Sequence, residues 1–345
     1  MRVALLGSGG VAGINFCKSI NMDSEGIFTL GFDIDEYNIH RSVTDKNVLI
    51  DRSMDAKGRL NLINSECRKH KIDMIHGQPD AEVRFLLENK SKLDTKTFGH
   101  SIDEWNIYNN KLSCQKTWAK KLELDFLCYS LEEVLRKPKL FFNLQKQNSK
   151  IWFRAIRGAG SKAALPITSL EHAKSWAKYW VDVKNYSMED FMLCEFLPGS
   201  EYAVQTLWIN GDLIHSQCRE RLVYLFGEIM PSGQSSTPSV AKTISDDRVY
   251  DIAHRSILAT SSKPHGIYCV DLKVSSTGNL IPTEVNYGRF FTTSDFFASV
   301  GTNTPLAYCK YIMDGVEPKK QINSAIADAY WIRGIDSDPR LVFMD

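Results

Sequence analysis

Between Gly266 and Arg289 the chain reads Gly266-Ile-Tyr-Cys-Val-Asp271-Leu-Lys, turns at Gly278-Asn279, and continues through an apolar run from Leu280 into Glu284-Val-Asn286-Tyr-Gly-Arg289. Two β-rich, alternating runs joined by a Gly-Asn turn predict a β-hairpin, and this one sets Asp271 beside Glu284. Neighbouring carboxylates on one face of a sheet repel each other unless a cation lies between them. Mg²⁺ carrying phosphate oxygens is the usual partner for such hard oxygen ligands. The plain alternative is a pair of solvated charges on a surface hairpin, the ordinary fate of acidic residues. What decides between the two is the company the hairpin keeps.

A chain of 345 residues has room for two or three domains and a sizeable core. Its formal net charge of +1, with acids and bases evenly mixed, points to neither nucleic acid nor an anionic membrane as partner. The eight cysteines are scattered without a C-x-x-C pair, which argues against a zinc knuckle or a disulfide framework and for reduced thiols. Met1-Arg-Val-Ala-Leu-Leu reads as a strand rather than a secretory leader, and no apolar run reaches transmembrane length, so the expected location is the cytoplasm.

Over residues 1 to about 100, strands expected at 3–6, 27–32, 48–50 and 72–75 alternate with helices at about 11–20, 56–70 and 80–90, the rhythm of a doubly wound parallel sheet. From 101 to 190 the pattern predicts helices at 111–121, 131–137 and 170–181 and strands at 140–143 and 150–155, a small α+β lobe. From 191 to 345 strands dominate, at 201–210, 213–218 and in the hairpin, around a helix at about 245–262. This larger lobe carries the metal and substrate candidates. A small-residue loop is expected over 231–239.

Three further segments carry chemistry. Gly7-Ser-Gly9-Gly10-Val-Ala-Gly13 follows a strand and opens a helix, with Asp33 ending the second strand; this is close to a dinucleotide fingerprint, but the spacing departs from it. The same turn closes many doubly wound sheets. Arg154-Ala-Ile-Arg157-Gly158-Ala-Gly160-Ser161-Lys162 puts a cation at a strand end before a small-residue loop, whose amides could wrap phosphate oxygens or simply form an exposed hairpin turn. It lacks the G-K-[ST] of a Walker loop. Glu195-Phe-Leu197-Pro-Gly-Ser-Glu201 ends an apolar strand with an acid, turns at Pro-Gly and supplies a second acid, which reads as turn chemistry or as base and ribose contacts.

In this order, glycine turn, cationic small-residue loop, acidic hinge and carboxylate hairpin, the chain resembles the ATP-grasp superfamily, and within it the carboxylate-amine ligases similar to the large chain of carbamoyl-phosphate synthase. The resemblance implies a pre-ATP-grasp parallel-sheet domain followed by a two-lobed ATP-grasp fold. It implies that Lys111 and Arg154 face the nucleotide phosphates and that Gly158, Gly160 and Ser161 belong to the loop covering them. Glu195 and Leu197 would meet adenine and Glu201 the ribose. Asp271, Glu284 and Asn286 would hold Mg²⁺, or Mn²⁺ in its place, while Arg289, Arg221 and Asn286 act at the reacting groups. Two features depart from the family: arginine stands where lysine is usual at 154, and Tyr287-Gly288 adds one residue before Arg289 where relatives read E-x-N-P-R.

The implied reaction is ADP-forming activation of a small carboxylate as an acyl phosphate for attack by an amine, with no nucleic acid or membrane partner and a homodimer as the default assembly. Rival readings are a small-molecule kinase, an NAD-dependent oxidoreductase built on Gly7 to Gly13 and Asp33, and a nucleotide-binding regulator. The arginines Arg219 and Arg221, the segment Ser232 to Ser236 and the strand end His76-Gly-Gln78-Pro-Asp80 are additional candidates for the acceptor's surroundings, each equally readable as ordinary surface or turn.

Overall fold

The computed structural model describes residues 1–22, 26–158, 160, 163–235, 237–335 and 337–344. The first four strands, β1 (Arg2–Leu6), β2 (Phe28–Asp33), β3 (Lys46–Leu49) and β4 (Met74–Gly77), form an all-parallel sheet in the order β3-β2-β1-β4. Its crossover helices are α1 (Val11–Asn21), α2 (Ala56–Lys69) and α3 (Asp80–Glu88). Alternate residues of β1 point to opposite faces: Ala4 and Leu6 pack with Leu60, Ile63 and Leu86 from α2 and α3, while Val3 and Leu5 pack with Phe16 and Ile20 of α1. Helices on both faces make this the doubly wound unit the alternating pattern predicts.

A second, four-stranded sheet contains β5 (Cys128–Ser130), β6 (Ile151–Ala155), β7 (Leu165–Ile167) and β8 (Phe191–Glu195), in the order β5-β8-β6-β7 and antiparallel throughout. Helices α6 (Leu131–Arg136), α7 (Lys139–Leu144) and α8 (Leu170–Lys184) cover one face around Phe153, Phe191 and Leu193. Residues 140–143, expected as a strand, are helical: Phe141 and Leu144 reach the core one turn apart while Phe142 is exposed, a helical rather than a two-residue period. Helices α4 (Ile102–Tyr108) and α5 (Lys111–Lys121), which precede this sheet in sequence, pack instead on the next one through Trp105, Tyr108, Cys114 and Trp118.

The large sheet has eight strands. They are β9 (Glu201–Ile209), β10 (Asp212–Tyr224), β11 (Pro238–Thr243), β12 (Gly266–Val274), β13 (Leu280–Tyr287), β14 (Gln321–Ile322), β15 (Ala329–Ile332) and β16 (Arg340–Phe343). The order is β13-β12-β9-β10-β11-β15-β16, with β14 paired to β10. Strand β11 begins inside the stretch expected as a loop at 231–239, because Pro238 and Val240 pair with the end of β10. Helix α9 (Asp247–Thr260) closes one face of this sheet, and α10 (Ser294–Val300) and α11 (Thr304–Asp314) join it to α1. All eight cysteines are free and buried. Among the described residues no helix is long and apolar enough to cross a membrane.

The two faces of the large sheet differ sharply. Val204, Cys218, Val270, Leu272, Val285 and Tyr287 face α5 and α9 in a continuous apolar layer. Their neighbours in sequence face the other way, and these include Arg219, Asp271, Glu284 and Asn286. The small sheet depends as strongly on its own core: Phe153 is fully buried at its centre. Phe153→Ala is expected to destabilise that lobe by about 3–5 kcal/mol, read as an earlier urea transition by tryptophan fluorescence.

Candidate active site

Strand pairing assembles the site. Asp271 on β12 lies opposite Glu284 on β13, and Cys269 opposite Asn286, so Glu284 and Asn286, two residues apart, share a face with Asp271. A bulge after Asp271 brings Thr283 round to donate its hydroxyl to the Asp271 carbonyl at 3.1 Å. Across β9 the ladder continues: Asp271 pairs with Ala203 and Ala203 with Arg219, while Lys273 pairs with Glu201 and Glu201 with Arg221. A single polar face thus collects two rows of functional side chains from four strands.

That face forms one wall of a cavity of about 650 Å³. The small sheet supplies a second wall through Trp152, Arg154 and Glu195, and α5 adds Lys111 and Gln115. The third wall is the carboxyl edge of the parallel sheet, with Gly7, Gly10 and Gln78. Lys111, Arg154, Gly158, Gly160, Glu195, Leu197, Glu201, Arg221, Asp271, Glu284, Asn286 and Arg289 all line this one space. Ser161 lies outside the described residues.

Asp80, Glu201, Asp271 and Glu284 are each matched by a cation. Arg154 pairs with Glu284, and the Lys111 ammonium stands 3.9 Å from the same carboxylate while donating to the Gly158 carbonyl. Burial alone would raise the Glu284 pKa, but Arg154 and Lys111 outweigh it and bring it down to about 2. Arg221 donates to Asp271 at 2.5 Å. Burial nevertheless pushes Asp271 upward against the pull of Arg221, and the neighbouring Glu284 charge adds to the rise. Arg289 donates to the Asn286 amide oxygen, and its Nε lies 2.6 Å from Asp80. The extra residue before Arg289 therefore does not carry its guanidinium away from the hairpin, because Gly288 at φ +82° turns the chain back there.

Glu201 is the centre of a second network, accepting from Lys273 at 2.5 Å, from the Gln234 amide at 2.5 Å and from the Tyr224 hydroxyl. Burial opposes ionisation there, yet Lys273, the Tyr224 hydroxyl and Arg221 hold the carboxyl below its usual range. The Glu195 carboxylate accepts from the Leu127 N–H at 3.1 Å; burial raises its pKa. Beside it Phe126, Cys194 and Leu197 form an apolar slot that continues to Trp152.

Arg219 proves to be buried and stacks 4.4 Å over Phe291, while Arg221 is half-buried against Asp271. Gln234 and Ser235 reach the cavity from the segment 232–236, of which Ser236 lies outside the described residues. Lys273, Tyr224 and Phe126 were not foreseen. Only Lys273 left a signal, two residues beyond Asp271 and so on the same strand face. The glycine turn has mainly a packing role: a Cβ on Gly9 would sit 1.8 Å from the Asn38 carbonyl oxygen, and one on Gly13 2.3 Å from that of Gly7. Asp33, the expected ribose partner of the oxidoreductase reading, instead accepts from the N–H groups of Gly9 and Asp35, both at 3.0 Å.

No family model matches the sequence, and no curated protein matches it either. Solved structures do match in three dimensions. Biotin carboxylase from Campylobacter jejuni, in a β,γ-ATP complex, has TM-score 0.70 at 12% identity over 95% of this chain and 74% of that one. An N5-carboxyaminoimidazole synthetase from Staphylococcus aureus, complexed with ADP, has TM-score 0.67 at 12% identity, covering 96% and 81%. An L-amino acid ligase from Bacillus licheniformis has TM-score 0.65 at 11% identity, covering 96% and 78%. The fold is that of the ATP-grasp ligases. In this ATP-grasp fold the cavity lies among all three units, and the motifs of the sequence converge on it.

Among the described residues no three or more His, Cys, Asp or Glu side chains cluster as metal ligands. Two carboxylates and an amide oxygen on one face remain, an all-oxygen set suited to Mg²⁺.

Burial depresses the Lys111 pKa from 10.5 to about 8, with Glu284 opposing and Arg154 adding to the fall. Between those two values the unfolded chain holds a proton that the folded protein has released, so stability there rises with pH. Relative to Lys111→Met, the wild-type protein is expected to gain roughly 1–3 kcal/mol across that window and nothing below it, measured by urea denaturation at a series of pH values.

Proposed function

We propose that this protein is an ATP-dependent, ADP-forming ligase that activates a small carboxylate as an acyl phosphate for attack by an amine or similar nucleophile. The observation that carries this reading is the meeting, in one cavity, of two phosphate-type cations, Lys111 and Arg154, with the face-sharing Asp271, Glu284 and Asn286. Neither the glycine turn nor the hairpin alone would support it.

A free carboxylate cannot expel oxide, so its oxygen must first be phosphorylated. In the proposed reaction a carboxylate oxygen attacks the γ-phosphorus of ATP, and the bond to the β,γ-bridging oxygen breaks with its electron pair on ADP. The nucleophile's lone pair then attacks the acyl carbon, phosphate leaves with the C–O pair, and the amine gives up a proton to solvent. Such a transfer asks the protein for positioning and charge compensation rather than covalent work. Lys111 and Arg154 offset charge on the phosphates, and the backbone of Gly158 and Gly160 approaches them closely. The slot of Phe126, Cys194 and Leu197 takes the base, with Glu195 at its polar edge, and Glu201 takes the ribose hydroxyls. Asp271, Glu284 and Asn286 would hold Mg²⁺, which when bound would supply charge neutralisation at the phosphates. Arg289 and Arg221 face the reacting carboxylate, and Arg154 keeps the fixed fork that arginine offers to phosphate.

The test is to incubate the protein with Mg²⁺·ATP and pooled carboxylates and amines, to follow phosphate release and to weigh the products by mass spectrometry. A product combining two acceptors supports ligation, whereas a singly phosphorylated acceptor would replace it with the kinase reading. Asp271→Asn and Glu284→Gln should each lower substrate-dependent ADP formation on the order of 100-fold or more with the circular dichroism unchanged, and turnover at the wild-type rate in either would refute the metal assignment. Glu195→Ala is expected to weaken ATP binding roughly tenfold by calorimetry.

A further inference from the structure

At the carboxyl edge of the parallel sheet, β1 lies between β2 and β4, and the chain leaves β1 and β4 into α1 and α3. The gap between β1 and β4 is the point where the strand order reverses, the position at which open α/β sheets receive ligands. Here it is unusually tight, since a Cβ on Gly7 would lie 2.4 Å from the Pro79 ring. Both helices begin without a capping side chain, at Gly10 and Pro79, and both starts line the cavity through Gly10 to Gly13 and Pro79 to Ala81. The first N–H groups of a helix have no intrahelical acceptor, so these donors and two positive dipole ends face the same space.

An independent observation points to the same place. Gln78, 1% exposed, lines the cavity. Its Oε1 accepts from the Phe290 N–H at 3.2 Å, which fixes the amide orientation, and its Nε2 has no partner among the described residues. A buried donor left without an acceptor is costly, so it marks a place for one. The acids near the crevice are already engaged: Asp80 lies against Arg289, Glu82 pairs with Arg59, and Asp33 accepts from Gly9 and Asp35. The geometry points to an oxyanion subsite between β1 and β4 that takes a carboxylate or phosphate-ester group of the acceptor substrate, with Gln78 as its specificity-determining side chain. Its assignment to the acceptor rests on the ligase reading; the binding of an oxyanion there does not.

Gln78→Glu keeps an oxygen for the Phe290 N–H and replaces the amide donor with a negative charge. Val11→Pro removes one helix-start donor at a position where proline is tolerated, because Gly10 before it is extended at φ −76° and ψ 158°. Inorganic phosphate and acetate are titrated in turn into the full-length wild-type protein and both variants, following the backbone amide resonances of Gly10 to Gly13. Saturable shifts are expected in the wild type, with affinity at least about tenfold weaker in Gln78→Glu and about threefold weaker in Val11→Pro. Tighter phosphate binding identifies a phosphate ester as the natural group, and tighter acetate binding a carboxylate. No shift in the wild type, or equal affinity in wild type and Gln78→Glu, overturns the subsite. If Gln78→Glu does not fold, equal affinity in wild type and Val11→Pro overturns it. ATP affinity, measured separately by calorimetry, should be unchanged in both variants. Anion binding without ATP binding in the wild type would end the ligase reading while the subsite stands.

Discussion

The site depends on the two-residue period of an antiparallel ladder. Because side chains alternate across β9, β10, β12 and β13, the residues that bury aromatic and aliphatic surface against α5 and α9 force their neighbours onto the opposite face. Val270 and Leu272 are inside, so Asp271 and Lys273 face the cavity; Val204 is inside, so Ala203 and Gln205 lie on the opposite face, buried under Phe291. A slip of one residue would bury Asp271 among tyrosines and expose Val270. The apolar layer thus holds the charged one in register.

Placing so many charges in a partly enclosed space is costly unless they balance. Lys111, Arg154, Arg221, Lys273 and Arg289 stand against Asp80, Glu201, Asp271 and Glu284, and each acid has a specific cation. Removing one partner of such a pair leaves an uncompensated buried charge, which costs far more than the pair contributes. The balance is uneven at two places. Asp271 is raised despite Arg221, and Lys111 is depressed despite Glu284, so a cation near the first and an anion near the second would relieve both.

Much of this was legible in the chain. The parallel unit announced itself through alternating apolar runs and helical patterns, and the hairpin through its β-rich runs and Gly278-Asn279 turn. The period of two then paired Asp271 with Glu284. Segment 140–143 was misread because Leu140-Phe-Phe-Asn143 is too short for periodicity to separate strand from buried helix. Strand β11 hid behind a small-residue stretch, since its pairing with β10 comes from the sheet and not from its own composition. Arg219 gave no sign that it would be fully buried on an aromatic ring.

Residue spacing along the chain determined what local geometry can carry: which residues share a strand face, where helices begin, and that Glu284 and Asn286 point the same way. Tertiary structure alone decided which faces meet. Lys111, Glu195 and Gln78 come from different units and reach one cavity only because helices α4 and α5 dock on the large sheet and the segment after the hairpin crosses to the parallel one. Such contacts join residues a hundred or more positions apart, as Gln78 is joined to Phe290, and depend on complementary packing that no local pattern encodes.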